Sequence, residues 1–180
     1  MLVCDGYWCS SRSATRRSPV RDARSARTAS LCFPGSGAGP AVRAGVASIE
    51  HGSLINDEAM TVMKQKGTYL VPTTYLAESI NLDALPPQTR AKAESILPQA
   101  KANLRRAIRA GVKIAFGTDA AVYPHGQNAH EFAALVERGM TPLEASRAAT
   151  LNDADLLGVT DRGQIAPGLL ADLIAVPGNP

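Results

Sequence analysis

Two apolar runs in this sequence share an approach and end on side chains that can bind a metal or move a proton. AVRAGVASIEHG (41–52) closes on His51, and AIRAGVKIAFGTD (107–119) closes on Asp119. An imidazole nitrogen with a carboxylate oxygen is the donor chemistry of a Zn²⁺, Fe²⁺ or Mn²⁺ hydrolase. An aspartate beside a metal-activated water can also act as general base, returning the proton to a leaving amine. Singly, each residue has an ordinary use: a strand-end histidine is often a hydrogen-bonded structural group, and an aspartate before a helix is often an Asx-turn or cap. Their recurrence at matching places is what points toward a common pocket. His125, between Pro124 and Gly126, reads as a substrate-contacting loop residue. His130 lies five positions on, a spacing that puts the two on different helix faces, so they do not form an i, i+4 zinc pair. It reads as an exposed or interface histidine.

These side chains need elements to hold them. VASIEH is a β-branched, glycine-bounded run that predicts a buried strand. A helix follows, capped at Asn56 or Asp57, with Ala59, Met60 and Met63 inward and Gly67 as a left-handed terminator. TYLVP predicts a second strand. A helix over about 88–110 contains Pro98, which is expected to kink or split it, and exits at Gly111 into a third strand, VKIAFG. NAHEFAALVERG predicts a helix with Phe132, Leu135 and Val136 on its apolar face. Thr141-Pro142-Leu143-Glu144 is a capping box with proline at the first helical position; that helix runs to about Thr150, and DADLLG adds a short turn. GQIAPGLLADLIAVPGNP reads as two short strands around a Pro-Gly turn. Strands alternating with helices imply parallel pairing and leave two architectures open, a doubly wound sheet or part of a (β/α)8 barrel. In both, ligands collect at the carboxyl ends of the strands, where His51 and Asp119 stand.

At 180 residues the chain suits one domain, and with only 4% aromatics its core must be aliphatic. A net charge of +3 is too mild to imply a nucleic-acid or membrane partner. The first forty residues differ from the rest: SSRSATRRSPVRDARSARTAS is Arg/Ser/Ala-rich, with no period of 2 or 3.6. It has too few apolar residues to form the amphipathic face of a transit peptide, and no aromatics or recognition fold accompany its arginines for nucleic-acid binding. FPGSGAGP is a breaker-rich linker; no Gly-Lys-Ser/Thr follows to make it a phosphate loop. Cys4, Cys9 and Cys32, odd in number and irregular in spacing, argue against a disulfide framework or a cysteine zinc site and suit unpaired thiols in a reducing cytoplasm.

SIEHGSLIND, KIAFGTDAAVYPHGQNAHEF, GMTPLEASRAATLNDADLLG and GQIAPGLLADLIAV together resemble the metal-dependent amidohydrolase superfamily, in particular its prolidase-like and imidazolonepropionase-like members, over roughly residues 41–180. The resemblance implies a partial (β/α)8 barrel, roughly strands six to eight with their helices, plus a short β segment of an accessory β-sandwich. Residues 1–40 are then expected to be a disordered or non-native segment, 41–160 a partial barrel, and 161–180 a sandwich remnant. It implies that His51 is a metal ligand, that Asp119 binds metal and shuttles the proton, and that His125 contacts substrate. The implied cofactor is a divalent metal, zinc foremost. The implied reaction is hydrolysis of an amide or cyclic amide C–N bond in a dipeptide, N-acyl amino acid or similar small molecule.

The sequence also departs from that family. It has no His-x-His pair, no lysine before Lys64, and SLCFPGSGAGP where a further ligand histidine is expected. It joins the family pattern near Pro40 or Ala41, as a truncated or frame-disrupted member would. With two protein ligands in place of three, a metal should bind weakly and the chain alone should hydrolyse little or nothing. The alternative is a non-catalytic remnant that associates with a complete barrel or has no independent function; its exposed barrel edges would favour self-association or aggregation.

Overall fold

A computed structural model describes residues 2–4, 7–9, 28–31 and 38–178. The readings made for the cysteines and for most of the arginine-rich stretch and the glycine-rich linker fall on residues, or on side chains, outside that set; the last three linker residues, Ala38, Gly39 and Pro40, open a helix instead. The described part has two sheets. Strands β1 (Leu2–Cys4) and β2 (Tyr7–Cys9) form an antiparallel pair. Strands β3 (Thr28–Leu31), β4 (Ser48–His51), β5 (Tyr69–Val71) and β6 (Lys113–Ile114) form a parallel sheet in that order. Register is set by Leu31 against His51, Glu50 against Val71, and Leu70 against Ile114. Every strand lies beside its successor and the order never reverses. That order is compatible with consecutive strands of a barrel wall, and with one side of a doubly wound sheet before its switch point. The sheet has four strands where the sequence predicts three. The fourth, β3, and the start of helix α1 (Ala38–Arg43) both precede the expected boundary at residue 41. TASL is too short and too weakly patterned to announce itself as a strand.

Period 2 along the strands separates two faces. Ile49, Leu70 and Ile114 point to one side, where they pack with Val42 of α1, Met60 and Met63 of α2 (Asp57–Lys66), Leu104 and Ala107 of α4 (Pro87–Ala110), and Leu135 of α5 (His130–Glu137). Fully burying side chains such as Ile49, Met63, Leu70 and Leu135 contributes about 1.5–3 kcal/mol each. On the other face Tyr69, Val71 and Ala115 form a smaller cluster, covered in part by Leu156 of α7 (Asp153–Leu157). A single turn, α3 (Leu76–Ser79), follows β5, and α6 (Pro142–Arg147) runs into α7 through a π-helical turn at Ala148–Asn152.

Several local expectations hold. The Asn56 side chain accepts from the Ala59 N–H at 2.9 Å, Gly67 and Gly111 close α2 and α4 in left-handed conformations, and Thr141 and Glu144 form the reciprocal capping box. Three expectations need correction. Helix α4 is not split at Pro98: Glu94, whose carbonyl loses its partner there, and Pro98 are both exposed, so water can satisfy that acceptor. Helix α5 buries Glu131, Ala134 and Leu135, while Phe132 and Val136 are more than a third exposed. Residues 161–178 contain no strand; Ile165 and Ile174 are 86% and 92% exposed. A strand persists only where a neighbour completes its hydrogen-bond ladder, and the backbone bonds here are the local Leu169–Ala166 and Leu170–Asp161 pairs.

Candidate metal centre at the strand ends

The ladder between β4 and β5 ends at Glu50 and Val71, and the chain then leaves the sheet sharply. His51 has φ 64° and Gly52 φ 55°, with the Gly52 N–H donating to the Glu50 carbonyl at 2.8 Å. A Cβ on Gly52 would fall 2.5 Å from Leu70 Cδ1, which explains a glycine directly after the histidine. Strand β5 ends in the same way: Thr73, after Pro72, has φ 48°. Beyond β6, Asp119 also has φ 48°. Left-handed backbone is unfavourable for residues with a Cβ, most of all for a β-branched threonine, and such strain clusters at functional positions. Here it falls on the last residue of β4 and beyond the ends of β5 and β6, where Ala121 also has a positive φ of 116°.

His51, Thr73 and Asp119 meet. His51 Nδ1 lies 2.7 Å from Thr73 Oγ1, and His51 Nε2 lies 4.0 Å from Asp119 Oδ2. Burial pushes the His51 pKa below its usual value, and the Asp119 charge only partly opposes this, so the imidazole is neutral at pH 7. With Nδ1 engaged by Thr73, Nε2 is the nitrogen left facing Asp119. The histidine side chain is 19% exposed and the aspartate 51%, so the pair opens to solvent on the carboxylate side.

Neighbouring elements hold these turns. Glu131 of α5 is fully buried; its Oε1 accepts from the Thr74 N–H and its Oε2 from the Tyr75 N–H, each at 2.7 Å. Burial pushes its pKa up to about 7 against the pull of those two bonds. Asp153 does the same for β6, accepting from the Phe116 N–H at 2.8 Å, and burial lifts its pKa to about 6. The loop carrying Asp119 is pinned by Tyr123, which is buried, donates to the Thr118 carbonyl at 3.1 Å and meets the Tyr75 ring edge-on at 5.0 Å. Thr73, Glu131 and Asp153 were not legible as site-supporting residues; the available signals were a Pro-Thr-Thr strand exit and a glutamate beside the buried positions of a helix.

The histidines of the following segment are placed differently. His125 is exposed on the loop after Asp119, outside the His51–Thr73–Asp119 contacts. His130 is exposed and stacks on Tyr75 at 4.9 Å. For a metal, the His51 and Asp119 donors fit in type; two ligands of a tetrahedral zinc, each at about 2.1 Å, lie about 3.4 Å apart, so the 4.0 Å separation would have to close on binding. Among the described residues no third His, Cys, Asp or Glu completes a cluster with them.

Comparison with known proteins identifies the family. Ochratoxinase of Aspergillus niger is 40% identical over 146 residues, covering 78% of this chain and 30% of its own. Imidazolonepropionase of Deinococcus deserti is 43% identical over 77 residues, 40% of this chain and 19% of its own. The crystal structure of a Xaa-Pro dipeptidase with methionine bound in its active site superposes with a TM-score of 0.76 at 46% identity, over 81% of this chain and 37% of that one. The chain thus spans less than half the length of each of these relatives. Residues 37–180 match the model of the amidohydrolase family, and the chain belongs to that family.

Proposed function

We propose that this chain carries the strand-six-to-eight sector of an amide-hydrolysing (β/α)8 barrel, with His51 and Asp119 as its metal donors. The observation that carries this reading is the approach of His51 Nε2 and Asp119 Oδ2 to 4.0 Å across the strand ends. A bound divalent cation, zinc foremost, would bring the pKa of a water toward neutrality and polarise the amide carbonyl. Asp119, half exposed, would take the proton of the attacking water and deliver it to the leaving nitrogen, while neutral His51 keeps its Nε2 lone pair directed at the same point. His125, on the loop after Asp119, would touch the substrate. The substrate class is a dipeptide or N-acyl amino acid, supported by the likeness to a Xaa-Pro dipeptidase and to ochratoxinase.

Two described donors are fewer than the three protein ligands a catalytic zinc uses, so weak zinc binding and little or no turnover are expected of the chain alone. Zinc titration combined with a dipeptide and N-acyl amino-acid hydrolysis assay tests this. Stoichiometric zinc with turnover that Asp119→Asn abolishes would overturn the expected inertness and keep the donor assignment. A second, non-catalytic reading, association with a complete barrel or another copy, is favoured by the exposed Ile165, Leu173 and Ile174. A monodisperse monomer in size-exclusion chromatography would count against it.

A further inference from the structure

We propose that Glu131 is a positioning residue for the strand-end pair: its carboxylate holds the 73–75 turn and, through the Thr73 hydroxyl, fixes the His51 ring with Nε2 toward Asp119. The consequence for metal rests on the reading of His51 and Asp119 given above; the role in orienting the ring does not.

Three observations lead here. Glu131 is fully buried, yet it spends both oxygens on two consecutive backbone N–H groups, of Thr74 and Tyr75. A buried carboxylate is unfavourable unless its partners justify it, and these partners belong to the one turn that follows β5. Next, the residue before them, Thr73, is a β-branched side chain at φ 48° and only 6% exposed. That conformation persists only where the surroundings over-determine it, and the described bonds that restrain the turn from another helix are those of Glu131. Finally, Thr73 Oγ1 is the group at 2.7 Å from His51 Nδ1. Whichever of the two carries the proton, this bond fixes the ring with Nε2 toward Asp119; when the hydroxyl accepts from Nδ1–H, Nε2 is left free for a metal, the arrangement by which partners outside a metal's ligand set orient the histidine. Arg138, also on the α5 side and 3% exposed, ties the next turn by pairing with Glu78 of α3, so the whole segment after β5 is anchored by α5 and its C-terminal residue.

The experiment reads the ring itself. Long-range ¹H–¹⁵N correlation spectra of the metal-free, ¹⁵N-labelled chain report the tautomer of each imidazole, with exposed His125 as internal reference. The unsubstituted chain should show a single His51 tautomer. Glu131→Gln and Thr73→Val should each give a mixture of tautomers, Thr73→Ser should restore the single form, and the double variant should change no more than Thr73→Val does. Leu104→Ala, a core truncation in α4, should lower stability and leave the His51 signals unmoved. Zinc affinity, read by competition with a chelating dye, should fall about 10–100-fold in Glu131→Gln. An unchanged His51 tautomer in folded Glu131→Gln, or the same mixture in Leu104→Ala, would overturn the proposal. If Glu131→Gln does not fold, Glu131→Asp, which keeps the charge but retracts it by one methylene, takes its place with the same expected and overturning results. Failure of zinc to bind the unsubstituted chain would sink the metal reading alone, and the ring spectra would still decide the role of Glu131.

Discussion

The two ends of one sheet are built by different rules. At the amino end, where helices feed strands, the left-handed positions are glycines: Gly45 at φ 90°, Gly67 at 69° and Gly111 at 76°. At the carboxyl end, where strands feed helices, residues with a Cβ take positive φ as well: His51 at 64°, Thr73 at 48°, Asp119 at 48° and Ala121 at 116°, beside Gly52 at 55°. Glycine adopts this backbone without steric penalty, whereas a residue with a Cβ incurs about 1–2 kcal/mol. Where the chain only has to turn, glycine stands; where a side chain is needed at the turn, strain is accepted. The amino end has a cleft of about 380 Å³ lined by Gly45, Lys66, Tyr69 and Lys113 among others. Strain, buried carboxylates and the matched donor pair all sit at the other end, which is where α/β sheets place their chemistry.

The carboxyl end keeps its turns by burying acids, and raising the pH is the strongest way to loosen it. Glu131 has its pKa pushed from 4.5 to about 7. Below pH 4.5 the group is protonated in folded and unfolded chains alike. Between 4.5 and 7 the unfolded chain releases the proton that the folded chain retains, so stability falls as pH rises, by about 3 kcal/mol in total. Asp153 acts in the same sense from 3.8 to about 6, more weakly because it is half exposed to solvent screening. His51, with its pKa lowered, acts in the opposite sense below 6.5. Urea midpoints measured from pH 4.5 to 7.5 should therefore decline overall, and Glu131→Gln should remove most of the decline. A profile equally steep in that variant would show that the buried carboxyl is not its source.

A smaller effect separates a glycine used for space from one used for shape. Gly117 sits between β6 and Asp119 without a left-handed φ, but a Cβ there would fall 2.3 Å from Val71 Cγ1. Gly117→Ala should destabilise by about 1–3 kcal/mol through overpacking. At Gly67 a Cβ would meet nothing within 4 Å, so Gly67→Ala should lose only the conformational penalty, about 1 kcal/mol. Chemical denaturation of both variants checks the order; a reversed order would mean that Val71 yields easily and that packing at the carboxyl end is loose.

How much of this was legible in the sequence follows the same division. The amino-end turns were readable because glycine after a helical run has one common explanation, and Gly67 and Gly111 both take it. His51 and Asp119 were readable because polar residues closing apolar strands are conspicuous. Thr73 was hidden, since nothing in Val-Pro-Thr-Thr announces a left-handed threonine. Glu131 was hidden for a deeper reason: periodicity sorts residues by polarity and assigns a glutamate to solvent, although two backbone donors can make its burial tolerable. That one misplacement rotated the expected face of α5 toward Phe132 and Val136. The strands expected in GLLADLIAV failed in the other direction, because alternation marks what could pair and says nothing about whether a partner is present.

The finest test of the contrast inverts a familiar preference. In the exposed middle of α4, at Ala102, glycine should be less stable than alanine by about 1 kcal/mol, because the helix restricts the more flexible residue. At Asp119 the order should reverse: with φ at 48°, Asp119→Gly should be more stable than Asp119→Ala by up to about 1 kcal/mol. Both Asp119 variants lose the carboxylate and should lose zinc affinity together, so their difference isolates the backbone from the donor. Alanine matching or exceeding glycine at 119 would mean that the aspartate is not strained, and the carboxyl end would then differ from the amino end in its side chains alone. The reversed order, with zinc affinity lost in both, would place the strain and the chemistry on the same residue.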